Sequence, residues 1–183
     1  MRSETPVILA GLALFLGLSG ASHAANIDGD AMARQGVLRC GGNNFLRLNG
    51  AEIQFTVYNF RNVSSTTPIT IERLTFYDAT GSVLFDSGTN GFPTFVNSVL
   101  GPSDNVLEPN QTAQLFSFDV LPFLPENQRP IQLEIAWSAP ERVLTLEAAG
   151  VRTSRQRDPA TGAQLVERGR DGNSCRTVDL RKH

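Results

Sequence analysis

The sequence predicts an all-β chain folded as a two-sheet antiparallel β-sandwich, and three observations lead to that prediction. Apolar and polar residues alternate through Ile53–Val57 and again through Ile131–Trp137, the period of a half-buried strand. No long stretch repeats apolar residues at helical spacing. Turn-forming residues separate the alternating segments. With 183 residues, 40% of them hydrophobic and 19% charged, the chain has the size and composition of one globular domain.

A hairpin is predicted where Asp78–Gly81 joins the segments Ile69–Tyr77 and Ser82–Phe85. The first of these segments changes phase, with Ile69 and Ile71 on one parity and Leu74 and Phe76 on the other. A β-bulge near Arg73 explains that change, because one extra residue moves every later side chain to the opposite face.

A second hairpin is predicted at Asp158–Gly162, which separates Val151–Arg157 from Ala163–Arg168. Further strands are expected at Val37–Cys40, Gln114–Val120, Val143–Glu147 and Cys175–Val178, for about nine short strands in all. Two antiparallel sheets of short strands are immunoglobulin-like in appearance. The cysteines stand near the chain ends, however, unlike those of the immunoglobulin disulfide.

The N-terminus predicts export. An apolar run from Val7 to Leu18 follows the basic Arg2, and the small residues Ser22 and Ala24 mark a cleavage site. The run is too short to span a bilayer. We therefore expect a signal peptide over 1–24, no stable membrane span after cleavage, and a periplasmic or secreted protein. A flexible segment over 25–36 and a single domain over 37–180 follow, the latter with a basic C-terminal hairpin at 151–170.

The two cysteines predict a disulfide between Cys40 and Cys175. In an oxidising compartment, two lone cysteines most simply form one bridge. The alternatives are two free thiols or a metal site, and two cysteines with no nearby histidine are a poor ligand set for zinc. The bridge would tie the C-terminal part of the chain to the first strand.

Positive charge is concentrated near the C-terminus, where residues 151–183 contain eight Arg and Lys against four acidic residues. Arginines suit carboxylate or phosphate recognition because the planar guanidinium binds two oxygens at once. The alternative is a solvated edge hairpin whose charges discourage edge-to-edge pairing. By strand parity Arg155 and Arg157 share one face, while Arg152 lies on the other. The predicted anion-binding residues are Arg155, Arg157, Arg168 and Arg170.

A second candidate surface is the segment 87–112, which is long, rich in Gly, Pro, Ser and Asn, and yet contains Phe92 and Phe95. Loops of this length are uncommon unless they are functional or disordered. The two aromatic side chains are either anchors for a partner, since aromatics dominate binding hot spots, or a cap over the open end of the sandwich.

Several classes of chemistry are disfavoured. Without the predicted signal peptide, the only histidine is the terminal His183, and a catalytic histidine has to be held by a third group. The sequence has no nucleophile elbow, zinc-protease motif or phosphate loop. The acidic stretch Asn26–Asp30 matches only a fragment of a calcium loop. We expect no metal and no cofactor. We also expect no nucleic-acid partner, because the exported chain is slightly acidic and lacks an aromatic-basic stacking pattern.

The string Val83–Thr89 reads Val-Leu-Phe-Asp-Ser-Gly-Thr. It resembles the motif of aspartic proteases, in which two hydrophobic residues precede Asp-Thr/Ser-Gly-Thr/Ser. The resemblance implies Asp86 as a catalytic carboxylate, and a homodimer, since a second copy of the motif is missing. The alternative is a strand that ends in an ordinary Asp-Ser-Gly turn.

Three functions remain open at this point. The first is a non-catalytic exported module that binds or assembles with a protein or an anionic polymer. The second is an aspartic-protease-like hydrolase that acts as a dimer through Asp86. The third is a structural subunit of an envelope or surface assembly. Neither the ligand nor the oligomeric state follows from the sequence.

Overall fold

The computed structural model describes residues 32–95, 100, 104–144 and 146–181. The predicted signal peptide therefore lies outside the described residues. Within them the chain is mostly β, with two very short α-helices. The strands are β1 (Met32–Gly41), β2 (Asn44–Arg47), β3 (Glu52–Arg61), β4 (Ile69–Asp78), β5 (Val83–Asp86), β6 (Val106–Leu107), β7 (Thr112–Phe116), β8 (Leu124–Pro125), β9 (Pro130–Leu144), β10 (Glu147–Arg157) and β11 (Gln164–Arg181). The helices are α1 (Ser87–Asn90) and α2 (Ser117–Val120).

The strands form two sheets, and β11 belongs to both. The first sheet has the order β5-β4-β9-β1 and ends on the C-terminal part of β11. The second begins with the N-terminal part of β11 and continues β10-β3-β2-β8. Short strands extend them, β6 beside β4 and β7 beside β3. All pairs are antiparallel except β2 with β8.

The strand β11 changes partner between Ser174 and Cys175. Its residues up to Ser174 pair with β10, and those from Cys175 onward pair with β1. The chain thus passes from one sheet to the other without a turn. The disulfide between Cys40 and Cys175, with an S–S distance of 2.00 Å, lies at this crossing. It confirms the predicted pairing.

The main core lies between the two sheets. Tyr58 and Phe60 point into it from β3, and the ring of Tyr58 lies 5.9 Å from that of Phe76 on β4. Ala148 on β10 packs against the same cluster. Alternate residues on β3 and β10 therefore face the first sheet, and this side of the second sheet is called its core face.

The opposite side of the second sheet, its outer face, has a smaller apolar cluster. Ile53, Phe55 and Val57 alternate with the core-facing residues of β3 and form this cluster. Helix α2 and the chain after it cover them, since the ring of Phe118 lies 5.0 Å from that of Phe55. Asn44 holds the segment after α2 against the sheet, because its side-chain amide donates to the Leu121 and Pro122 carbonyls at 3.0 and 2.8 Å.

The prediction of an all-β chain with two antiparallel sheets is confirmed, and the immunoglobulin-like detail stays a prediction. The register shift between Ile71 and Arg73 confirms the bulge. Eleven strands are present in the described residues where about nine were expected. Strand β1 begins at Met32, inside the segment 25–36. The predicted strand Gln114–Val120 ends at Phe116, because the chain turns into α2 to cover the outer face.

Candidate functional site

The four arginines predicted to bind anions lie on two different faces of the second sheet. A bulge in β11 separates them, because Ser154 pairs with Gly169 while the next residue, Arg155, pairs with Glu167. The extra residue in β11 is Arg168. It lies on the core face beside Gln156, and Arg155 lies on the outer face. The sequence placed all four in one cluster, and the structure does not bring them together.

The outer-face arginines make contacts within their own hairpin and with the neighbouring strand β3. The guanidinium of Arg155 lies 5.2 Å from the centre of the Phe55 ring and donates to Gln164 Oε1 at 2.8 Å. Arg157 Nε donates to the Gly162 carbonyl at 3.3 Å. Arg170 Nε lies 3.9 Å from a carboxylate oxygen of Glu167. These interactions fit the solvated-hairpin alternative, because each guanidinium already supports the hairpin or its turn.

A groove opens on the core face of the second sheet, beyond the end of the main core. It has a volume of about 460 Å³ and crosses β2, β3, β10 and β11. Arg168 lines it and donates to Gln156 Oε1 at 2.6 Å. The other polar lining residues are Arg47, Glu52, Gln54 and Ser154.

A second cavity of about 330 Å³ continues the groove and shares Arg47, Gln54, Ser154 and Gly169 with it. Arg152 enters from β10 and pairs with Asp171 on β11 at 2.6 Å. The guanidinium of Arg129 lies 5.3 Å above the ring of Phe45 and closes the far end. The described lining of the two cavities thus has four guanidinium groups and two carboxylates, a local excess of positive charge.

Glu52 is the acidic residue that lines the first cavity of the groove. Its Oε1 accepts from the Ser154 hydroxyl at 2.6 Å and from the Gln54 amide at 3.2 Å, and lies 3.5 Å from Arg47. The hydrogen bond from Ser154 is the largest cause that holds the pKa of Glu52 below its usual value. The charges of Arg47 and Arg168 act in the same direction. Glu52 therefore stays ionised and positions the polar side chains around it.

Sequence reasoning found only part of this groove. Parity correctly separated Arg152 from Arg155, and it places Ser154 and Gln156 with Arg152. It gave no indication of Arg47 or Arg129, because both belong to parts of the chain that are far in sequence from β10 and β11. Arg47 arrives through the pairing of β2 with β3, and Arg129 precedes β9. Neither stands in a motif.

Asp86 ends β5 and caps helix α1. Its carboxylate accepts from the Gly88 amide at 2.9 Å and from Arg73 Nε at 2.7 Å, and its second oxygen pairs with another nitrogen of Arg73. The hydrogen bond from Arg73 is the largest cause that lowers the pKa of Asp86. Both carboxylate oxygens thus bind groups of the same chain, as expected if Asp86 belongs to an ordinary turn at the end of a strand.

The two aromatic residues of the segment 87–112 lie against the main core. Phe95 is buried, and its ring lies 6.0 Å from that of Phe60. Phe92 stacks on Phe95 at 5.6 Å. This arrangement agrees with the alternative in which the two rings form a cap. Residues 96–99 and 101–103 of the same segment lie outside the described residues.

No helix in the described residues is long and apolar enough to cross a membrane. The described part of the chain also has no group of three His, Cys, Asp or Glu side chains that could hold a metal ion. The disulfide is compatible with an extracellular or periplasmic protein. Comparison with protein-family models, curated proteins and solved structures found no match to this chain.

Proposed function

We propose that this chain is an exported, non-catalytic binding module that holds an anionic group of a protein or polymer in the groove of its second sheet. The observation that carries the proposal is the convergence of Arg47, Arg129, Arg152 and Arg168 on one continuous groove. Guanidinium groups bind carboxylates and phosphates through paired hydrogen bonds, which favours them for anion recognition.

The groove also has features of a ligand site rather than of a solvated surface. It is concave, and its two parts are of the size that small ligands and polymer segments fill. Its arginines come from separate elements, β2, β10, β11 and the segment before β9. A rigid sheet holds the first three, which reduces the entropy lost when a ligand binds.

Arg168 and Arg170 supply a matched test, because they stand two residues apart on opposite faces of the same hairpin. We expect Arg168→Ala to weaken binding of an immobilised polyanion, polygalacturonate or poly-L-glutamate, by about tenfold, the loss of one charge-assisted hydrogen-bond pair. Arg170→Ala should remain within about twofold of wild type, since Arg170 lies on the outer face and does not line the groove. Biolayer interferometry at low salt measures both.

Two results would overturn the proposal. One is the absence of binding to either polyanion at low ionic strength, where surface electrostatics are strongest. The other is equal loss of binding in the two variants, since that would indicate a general charge effect instead of a groove. Circular dichroism of each variant confirms that the fold is retained.

A further inference from the structure

The charge pattern of the groove restricts the kind of anion that fits it. Glu52 lines the first cavity and Asp171 the second, so each cavity has a carboxylate among its arginines. A polyanion with closely spaced charges, such as polyphosphate, would place its own anions against these two carboxylates, and like charges at close range are unfavourable. The groove therefore favours a ligand whose negative charges are set apart.

The remaining polar groups of the groove suit hydroxyl groups. An ionised carboxylate only accepts hydrogen bonds. The contacts with Ser154, Gln54 and Arg47 involve Oε1 of Glu52, and the pair with Arg152 involves Oδ2 of Asp171, so the other oxygen of each carboxylate can accept from a ligand. Gln54 and Gln156 each have both a donor and an acceptor group, and Ser154 has a hydroxyl. Sugar hydroxyls also donate and accept. A chain of sugars can thus satisfy the acidic and neutral residues between the arginines.

The position of the groove disfavours a peptide. Extended peptides commonly add a strand to a sheet edge, and helical peptides bury apolar anchors in hydrophobic grooves. This groove lies on the face of the sheet and crosses β2, β3, β10 and β11, whose backbone groups pair with one another at that point. Its aromatic residue, Phe45, is buried beneath Arg129, and its well-exposed apolar residue, Leu48, offers a single anchor where a helical peptide uses several.

From these three observations we infer that the ligand is an acidic polysaccharide, recognised by arginines at its carboxylates and by Glu52, Gln54, Ser154, Gln156 and Asp171 at its hydroxyls. The inference rests on the proposed function and narrows it to one ligand class. Glu52 and Asp171 would provide the selectivity, because they repel densely charged chains while they accept hydrogen bonds from hydroxyl groups.

Four probes of comparable length test the inference: polygalacturonate, its methyl ester, poly-L-glutamate and polyphosphate. We expect polygalacturonate to bind at least about tenfold more tightly than each of the others, because only it offers both carboxylates and hydroxyls. Binding is measured by isothermal titration calorimetry with the intact oxidised protein. Equal or tighter binding of poly-L-glutamate or polyphosphate would overturn the inference and leave the proposed function standing, whereas no binding of any anionic probe would overturn both.

Charge-neutral variants give a second readout. Asp171→Asn and Glu52→Gln should reduce the preference for polygalacturonate over polyphosphate, because each removes a carboxylate that repels the denser polyanion. Asp171 has a well-exposed side chain, so its variant keeps the test valid if Glu52→Gln does not fold. An unchanged preference in a folded variant would contradict the selective role of these carboxylates.

Discussion

Cys40 and Cys175 lie directly opposite each other in the register of β1 and β11, at the point where β11 passes from the second sheet to the first. The bridge closes a sequence separation of 135 residues. It therefore joins the first described strand to the last, and nearly every other element of the fold lies within the loop that it closes.

Reduction of this disulfide should destabilise the protein. Chain-entropy reasoning for a loop of this length gives a decrease of about 5 kcal/mol in the free energy of unfolding. Urea denaturation with and without a reducing agent measures the difference. The double variant Cys40→Ala/Cys175→Ala is the control, because its unfolding midpoint should not respond to the reductant. Equal stability of oxidised and reduced wild type would contradict the prediction.

Position 42 requires glycine because any larger side chain would clash with Tyr58. A Cβ at this position would lie 1.9 Å from the Tyr58 hydroxyl oxygen, and Tyr58 is fully buried. We expect Gly42→Ala to lower the free energy of unfolding by about 3 kcal/mol through overpacking. Gly172→Ala should change it much less, because that Cβ has nothing within 4 Å. Thermal denaturation of the purified variants compares the two.

A double variant identifies the cause of that loss. Tyr58→Phe removes the hydroxyl that the new methyl group would meet. Gly42→Ala should therefore cost clearly less in the Tyr58→Phe background than in wild type. Identical costs in both backgrounds would mean that the backbone, and not the side-chain contact, requires glycine.

The ion pair between Arg73 and Asp86 should make stability depend on pH. Because the pKa of Asp86 is lower in the folded state than in the unfolded state, its contribution is present above the unfolded pKa. It is lost as the pH falls through the folded pKa. Between about pH 5 and pH 2, wild type should therefore lose more stability than Asp86→Asn. Urea midpoints across this range give the two slopes, with the exposed Glu108→Gln as control.

Parallel slopes for wild type and Asp86→Asn would show that the pair does not contribute. The same variant addresses the aspartic-protease interpretation. Peptide cleavage at acid pH by wild type that disappears in Asp86→Asn would support that interpretation, and cleavage that survives the substitution would eliminate it.

Asn62 belongs to a glycosylation sequon, but its side chain is buried and serves the fold. Its amide donates to the carbonyls of Thr67 and Leu107, both at 2.9 Å, and its oxygen accepts from the Ser64 amide at 2.9 Å. Asn62→Ala should lower the free energy of unfolding by about 3 kcal/mol, because it leaves buried polar groups without partners.

The exposed Asn110, in the other sequon, is the matched control. It has a φ of 63°, a conformation that glycine adopts without strain. Asn110→Gly should therefore leave stability within about 0.5 kcal/mol of wild type. Guanidinium unfolding curves of both variants test the pair, and a neutral Asn62→Ala would contradict the structural role.

Local patterns in the sequence were sufficient for the strand class, the two hairpins and the bulge near Arg73. Each of these depends on neighbours within a few residues, such as the alternation in Ile53–Val57 or the turn at Asp158–Gly162. The disulfide was predictable for a different reason, since two cysteines leave only one pairing within the chain. The length of β11 was not predictable. No local pattern in the sequence marks the change of partner at Cys175, so nothing indicated that one strand continues from the second sheet into the first.

The sequence by itself determined an all-β chain closed by one disulfide, with a basic C-terminal hairpin and no histidine between His23 and His183. Only the tertiary structure decided how the arginines are grouped. One bulge moves Arg168 to the core face, on the side of Arg152 and away from Arg155 and Arg170, and the long-range pairing of β3 with β10 brings Arg47 to the same groove. Strand parity is a local property, but the register between strands is set by side-chain burial across the whole molecule.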